Sequence, residues 1–336
     1  MTKRELVNRV FHNEKADRVP VGFWFHFSEN ELVDVFKEPS MLDIDLNGLR
    51  KFYRDFKPDF VKIMTDGFFM YPNEAFANAE RAADLWKVEP IGAAHPWIQK
   101  QIDFAKTVTG EFGSEVMMFY NIFAPVTLFR FAHAHTRENT AAFLADLIAE
   151  DAEAVRYALG KAASDMAALA AGVIKEGGAD GIYYSAQDVP DPRVTGKTHA
   201  ACIAPGDRAV LAAAADAGGL NILHVCGYAG HRNDLSHFVT YPAQVINWAS
   251  TVEGVSLGEG KKLFGGRPVI GGFDNTTGGV LYRGSKAEIE EETERLLREA
   301  GTTGVALGAD CTLPRGIDLS RLEWVRAKAA VFRGLA

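Results

Sequence analysis

A single residue, Val225, separates the imidazole of His224 from the thiol of Cys226, and a third soft ligand, Cys311, lies far along the chain. The apolar run Leu220-Asn221-Ile222-Leu223 leads into the pair, which reads as a strand end. Side chains two apart on a strand point the same way, so ring nitrogen and sulfur converge on one point. Nitrogen and sulfur donors suit zinc. Cys311 closes a second apolar run, Leu307-Gly308-Ala309-Asp310. Three protein ligands leave a position open, the mark of a catalytic rather than a structural zinc. The plainer reading is that of buried cysteines packing as small hydrophobes. The choice between them rests on whether the fold brings Cys311 to the His-x-Cys pair.

The elements that position these residues follow from the hydrophobic pattern. The chain has 336 residues and is 47% hydrophobic, enough for a large core. Its formal net charge of -8 disfavours a nucleic-acid or membrane-surface role. No apolar stretch approaches the roughly 20 residues of a membrane span. The first residues, Met1-Thr2-Lys3-Arg4-Glu5-Leu6, lack the apolar region of a signal peptide. Three cysteines form no disulfide framework, so a reducing, cytoplasmic compartment is expected.

Eight short apolar runs alternate with helical segments: 19–25, 60–64, 116–120, 181–184, 222–225, 244–247, 268–271 and 305–308. Residues 140–175 have helical periodicity. Ser285-Lys286-Ala287-Glu288 opens another helix with capping-box spacing. Alternating strands and helices predict a parallel sheet, and eight units predict a closed (β/α)8 TIM barrel spanning 1–336 as a single domain. No Gly-x-Gly-x-x-Gly follows the first run, which argues against a dinucleotide-binding open sheet. A barrel collects its chemistry at the C-terminal ends of its strands. The residues there are His26, Asp66, Asn121, Ser185 with Gln187, His224 with Cys226, Trp248, Asp274 and Cys311.

In this setting the chain resembles the uroporphyrinogen decarboxylase superfamily over nearly its whole length. The resemblance is carried by Asp17-Arg18-Val19-Pro20-Val21, by Pro58-Asp59-Phe60-Val61-Lys62-Ile63 with Asp66-Gly67, by Ala124-Pro125-Val126-Thr127-Leu128, and by Gly271-Gly272-Phe273-Asp274. It implies the same (β/α)8 fold. A true uroporphyrinogen decarboxylase would need, by this likeness, an arginine pair after the first strand and a histidine after the eighth. Here no arginine lies between Val19 and Leu49, and Cys311 takes the histidine's place. Burying several substrate carboxylates without cations is costly. The corrinoid-dependent methyltransferase branch carries a His-x-Cys and a distant Cys as zinc ligands, matched here by His224, Cys226 and Cys311.

That branch implies Zn2+ as cofactor and a methyl-corrinoid as co-substrate. It also implies a corrinoid protein and a small-molecule methyl donor or acceptor as partners, with a homodimer left open. Zinc coordination deprotonates a thiol, and zinc also acts as a Lewis acid on an ether oxygen. Asp66 is expected to orient substrate and His26 to hydrogen-bond it. Tyr184, Gln187, Trp248 and Asp274 are the expected substrate-binding residues. Gly227 and Gly271-Gly272 allow close approach of a flat macrocycle. A tetrapyrrole decarboxylase and a non-catalytic ligand-binding barrel are the alternatives.

Overall fold

The computed structural model describes residues 1–332. Seven of the eight apolar runs form strands: β1 (Phe60–Ile63), β2 (Met117–Phe123), β3 (Gly181–Ala186), β4 (Ile222–Val225), β5 (Val245–Trp248), β6 (Val269–Phe273) and β7 (Val305–Ala309). They are rich in β-branched and aromatic residues, which favour strands, and all are buried apart from isolated positions. All six adjacent pairs are parallel, in the order β1-β2-β3-β4-β5-β6-β7. Helices fill the connections, as parallel crossovers require.

The closed eight-stranded barrel expected from the sequence is not formed. The first run, 19–25, makes no ladder and meets β7 and the segment after it only at isolated bridges, Val21 to Leu307 and Phe25 to Leu313. The sheet is therefore an open, curled half-barrel with this run lying along the gap between β7 and β1. Three local features account for it. Pro20 has no N–H to give a ladder. The Val21 N–H donates to the Asp59 carboxylate (2.8 Å), not to a strand carbonyl. Gly22 is pressed against the Phe60 ring, where a Cβ would lie 2.4 Å from the ring carbon Cζ.

The curl divides the core in two. The larger part lies between the outer face of the sheet and the helices, and includes Val61, Ile63, Tyr184, Leu223, Ile246 and Trp248. The smaller fills the inside of the curl with Phe60, Phe119, Tyr183, Ile222, Val245, Ile270 and Ala306. The helix Lys3–Phe11 plugs its N-terminal end with Leu6, Val7, Val10 and Phe11, whose ring packs 5.8 Å from that of Phe60. One end of the interior is thus sealed by apolar side chains, and polar chemistry is left to the other.

The 140–175 segment forms a helix over Thr140–Lys175, broken at Asp151, whose backbone is extended (φ -156°, ψ 95°). The Asp151 carboxylate accepts the N–H groups of Glu153 and Ala154 and so caps the second half. The expected capping box at Ser285 and Glu288 opens the helix Lys286–Ala300. Among the described residues no helix is long and apolar enough to cross a membrane.

Candidate metal centre and its surroundings

Strand parity builds the inner face from the bottom up. On β4 it shows Ile222, then His224, then Cys226 one residue beyond the strand; on β1 it shows Phe60, then Lys62. The lower layer is apolar and the upper layer titratable. Cys311 arrives from β7 through Asp310, a buried residue that fixes the turn. The Asp310 N–H donates to Phe273 O (2.8 Å), and its carboxylate accepts from Ser250 Oγ (2.7 Å) and Thr251 N (2.8 Å).

His224, Cys226 and Cys311 offer ligand atoms that all lie within 4.8 Å of one another. The two sulfurs are 4.0 Å apart. Zinc–sulfur bonds of about 2.3 Å at tetrahedral angles would set two thiolates about 3.8 Å apart. The histidine is prepared for the same role. Asn247, its register partner on β5, donates both amide protons to carbonyls, Ile270 O (2.9 Å) and Ala309 O (3.4 Å). Its Oδ1 therefore accepts, and His224 Nδ1 lies 2.5 Å from it. The ring proton is then on Nδ1, and Nε2 is buried with no hydrogen-bond partner. A free, buried imidazole nitrogen beside two close thiols fits a thiophilic divalent cation. Their mutual hydrogen bond holds Cys311 well below the usual thiol range and pushes Cys226 well above it.

Lys62, which sequence reasoning passed over as a site residue, lies inside the curl. Its ammonium sits 4.2 Å from the Tyr183 ring centroid and 5.8 Å from that of Trp24. Burial lowers its pKa to about 8, against the opposing pull of Cys311, Cys226 and Asp66. Tyr183 Oη donates to Asn247 Oδ1 (2.5 Å), so the aromatic floor and the histidine share one anchor. Arg130, also passed over, donates to Gln187 Oε1 (2.8 Å); burial lowers its pKa and the charge of Cys226 raises it.

The other expected residues separate into two sets. His26 and Asp66 meet each other, with His26 Nδ1 2.6 Å from Asp66 Oδ1. Asp66 Oδ2 accepts from the N–H groups of Phe27 (3.1 Å) and Ser28 (3.3 Å), so the aspartate ties the loop after 19–25 to the loop after β1. Phe69, Phe123 and Phe131 form an aromatic wall beside them, with Phe69 5.9 Å from His26. Gln187 joins the metal side through Arg130 and through Tyr228 O (3.4 Å).

Tyr184 and Trp248 fall on the other face of the sheet. Tyr184 Oη donates to Asp207 on the helix Ala204–Asp216 (2.6 Å), and Trp248 Nε1 donates to Val255 O (2.9 Å). Asp274 caps its own turn by accepting the Thr276 N–H (2.7 Å), and it lines a cleft of about 350 Å³ shared with Glu292 and Arg295. The glycines serve packing. A Cβ on Gly227 would lie 2.6 Å from Ala249 Cβ, and one on Gly271 (φ +137°) 3.2 Å from Asn247 Nδ2. A larger cleft, about 670 Å³, lies near the sealed end around Arg4 and Asp180, away from the thiols.

With fold and site in hand, comparison with known proteins places the chain. Residues 68–329 match the family described as Uroporphyrinogen decarboxylase (URO-D), and the chain belongs to that family. Its fold is similar to that of a methyltransferase from Methanosarcina mazei (14% identity, TM-score 0.68, covering 98% of this chain and 98% of that one). It is also similar to a B12-independent methionine synthase from Shewanella sp. W3-18-1 in complex with selenomethionine (12% identity, TM-score 0.53, covering 94% and 97%). Identities this low show a shared fold alone. Among curated proteins none matches in sequence.

Proposed function

We propose that this protein is a zinc-dependent methyltransferase that moves a methyl group between a corrinoid, free or protein-bound, and a small molecule such as a thiol or a methoxylated or methylated compound. The observation that carries the reading is the convergence of two thiols and the unpartnered Nε2 of His224 at the C-terminal rim of the sheet. Two solved neighbours named for methyl transfer or methionine synthesis share the fold, which supports the same class of chemistry.

His224, Cys226 and Cys311 would hold the metal. Zinc there would supply activation of a thiol nucleophile, or Lewis acidity toward an ether oxygen. The chain's own residues would do the rest. Asn247 keeps the His224 proton on Nδ1, so Nε2 stays available. Lys62 places one positive charge inside the curl, which favours anionic sulfur nearby. Asp66 holds the His26 proton at Nδ1, leaving Nε2, on a side chain 28% exposed, to accept a proton from an incoming substrate. Gln187, positioned by Arg130, offers a polar contact on the metal side, and the Phe69–Phe123–Phe131 wall excludes water near His26.

The test is an assay of methylcobalamin loss with a panel of thiols, run also in reverse with methoxylated aromatics, methylamines and a reduced corrinoid protein. Turnover is expected with at least one substrate. Cys226→Ser and Cys311→Ser should each lose one zinc equivalent and reduce activity at least ~100-fold with an unchanged circular dichroism spectrum. Inactivity across both panels with zinc bound would refute methyl transfer. Conversion of uroporphyrinogen to coproporphyrinogen would favour the decarboxylase reading suggested by the family name.

A further inference from the structure

A second cluster of ligand atoms sits between the loops that follow β3 and β4. Asp188, His199 and His237 present donors within 4.8 Å of one another. His199 Nδ1 lies 3.1 Å from Asp188 Oδ1, and His237 Nδ1 lies 3.0 Å from the same oxygen. A divalent cation with ligand bonds near 2.1 Å sets cis donors about 3.0 Å apart in octahedral geometry.

The proton inventory favours a cation over simple ion pairing. Tyr184 and Tyr241 both donate to Asp207, at 2.6 and 2.7 Å. The Tyr241 oxygen is then left to accept, and His199 Nε2 lies 2.9 Å from it. The His199 proton is committed to Nε2. Its Nδ1 is buried and has no aligned hydrogen bond, yet it faces a carboxylate oxygen. With a neutral ring, two lone pairs would oppose each other there unless a cation lies between them. His237 reaches the same oxygen from the other side: its Nδ1 is hydrogen-bonded to Asp188 Oδ1 at 3.0 Å, and its Nε2 lies 3.5 Å from Asp234 Oδ2. Metal-binding histidines commonly give their outer N–H to a carboxylate or other acceptor in this way.

The local backbone is shaped for these rings. His199 begins a π-turn, His199–Ile203, inside an otherwise α-helical stretch, and such turns often mark functional sites. The His237 ring occupies the space where a Cβ on Gly196 would sit, 2.8 Å from Nε2. Asp188 and His237 side chains are 13% and 17% exposed, which leaves an entry path.

We propose that Asp188, His199 and His237 form a second metal site, taking a divalent transition cation through Asp188 Oδ1 and the two Nδ1 atoms. It is independent of the thiol centre in its ligands but adjoins it through the backbone. Asp188 N–H donates to Asn233 Oδ1 (2.7 Å), and Asn233 Nδ2 donates to Cys226 O (3.0 Å). The cation would fasten the loops after β3 and β4 together and so stiffen the segment that carries Cys226.

Cobalt(II) titration of the whole protein and of the Cys226→Ser/Cys311→Ser double variant tests this. The wild type is expected to take two equivalents, one with sulfur-to-cobalt charge-transfer absorption in the near ultraviolet. The double variant is expected to keep one equivalent, with only weak visible bands. His199→Ala and His237→Ala, made in the wild-type background, should remove that equivalent and spare the charge-transfer band. His237 is partly exposed, so its variant decides the matter if His199→Ala does not fold. A double variant that binds no cobalt, or an equivalent that survives His237→Ala in folded protein, would overturn the proposal.

Discussion

Asn247 aims the imidazole of His224 by giving both amide protons to carbonyls, so that only its oxygen faces the ring. Replacing it with alanine leaves the His224 Nδ1 proton and the Tyr183 hydroxyl without their shared acceptor. Asn247→Ala is therefore expected to weaken zinc binding about 10- to 100-fold while Cys226 and Cys311 stay in place, measured by competition with a chromogenic chelator. His-x-Cys was legible because parity on a strand is a fixed rule. Cys311 was legible by type, and its arrival depended on the order of the strands. Asn247 was not legible, since an asparagine at a strand end has many ordinary uses. Lys62 did leave a signal: a lone lysine inside Phe60-Val61-Lys62-Ile63, on the parity that faces inward. Tyr184 and Trp248 were placed near strand ends correctly, but one residue of parity turns them to the helices.

At the scale of elements, seven strands and two helices, Thr140–Lys175 and Lys286–Ala300, could be read from apolar runs and caps, mostly to within a residue or two. The departure is the run 19–25. Its composition is that of a strand, but scattered backbone hydrogen bonds, such as Gly22 N–H to Leu307 O, stand in for a ladder, and the Val21 N–H goes to the Asp59 carboxylate. Asp59 is buried and carries much of this join. It takes a two-pronged contact from Arg18 (2.6 Å and 2.6 Å) and the N–H of Val21. Asp59→Ala leaves Arg18 half-buried and unpaired and is expected to cost about 2–4 kcal/mol in urea unfolding. Asp59→Asn, which keeps one acceptor for Val21, should cost less. The break at Asp151 was equally invisible to periodicity, because the residues on both sides keep a helical pattern.

Across the whole molecule, the apolar plug at one end and the titratable rim at the other set how stability responds to pH. Asp45, on the helix Ser40–Phe56, is buried with neither carboxylate oxygen hydrogen-bonded. Burial, and then the charge of Asp66, push its pKa from 3.8 up to about 9. Between those values the folded protein keeps a proton that the unfolded chain has released. Stability is thus full below the lower value and declines as pH rises toward the upper one. Asp45→Asn should flatten this decline and make the protein more stable than wild type at pH 8, by about 1 kcal/mol or more, with little difference at pH 4. Urea midpoints across that range would check it.

The gap in the sheet lies under the rim itself. Segment 19–25 leads directly into His26, β1 into Asp66, and β7 into Cys311, so three of the expected site residues stand on the flanks of one weakly laddered join. Amide protons report on such a join. Those of residues 19–28 should exchange with deuterated solvent well before those of β2, β3 and β4, whose ladders are continuous on both sides. A ligand that spans from His26 to the thiols would hold the two flanks together. Its arrival should then be visible as slowed exchange along that one line, whatever the ligand's identity, and this makes the molecule its own detector in a substrate screen.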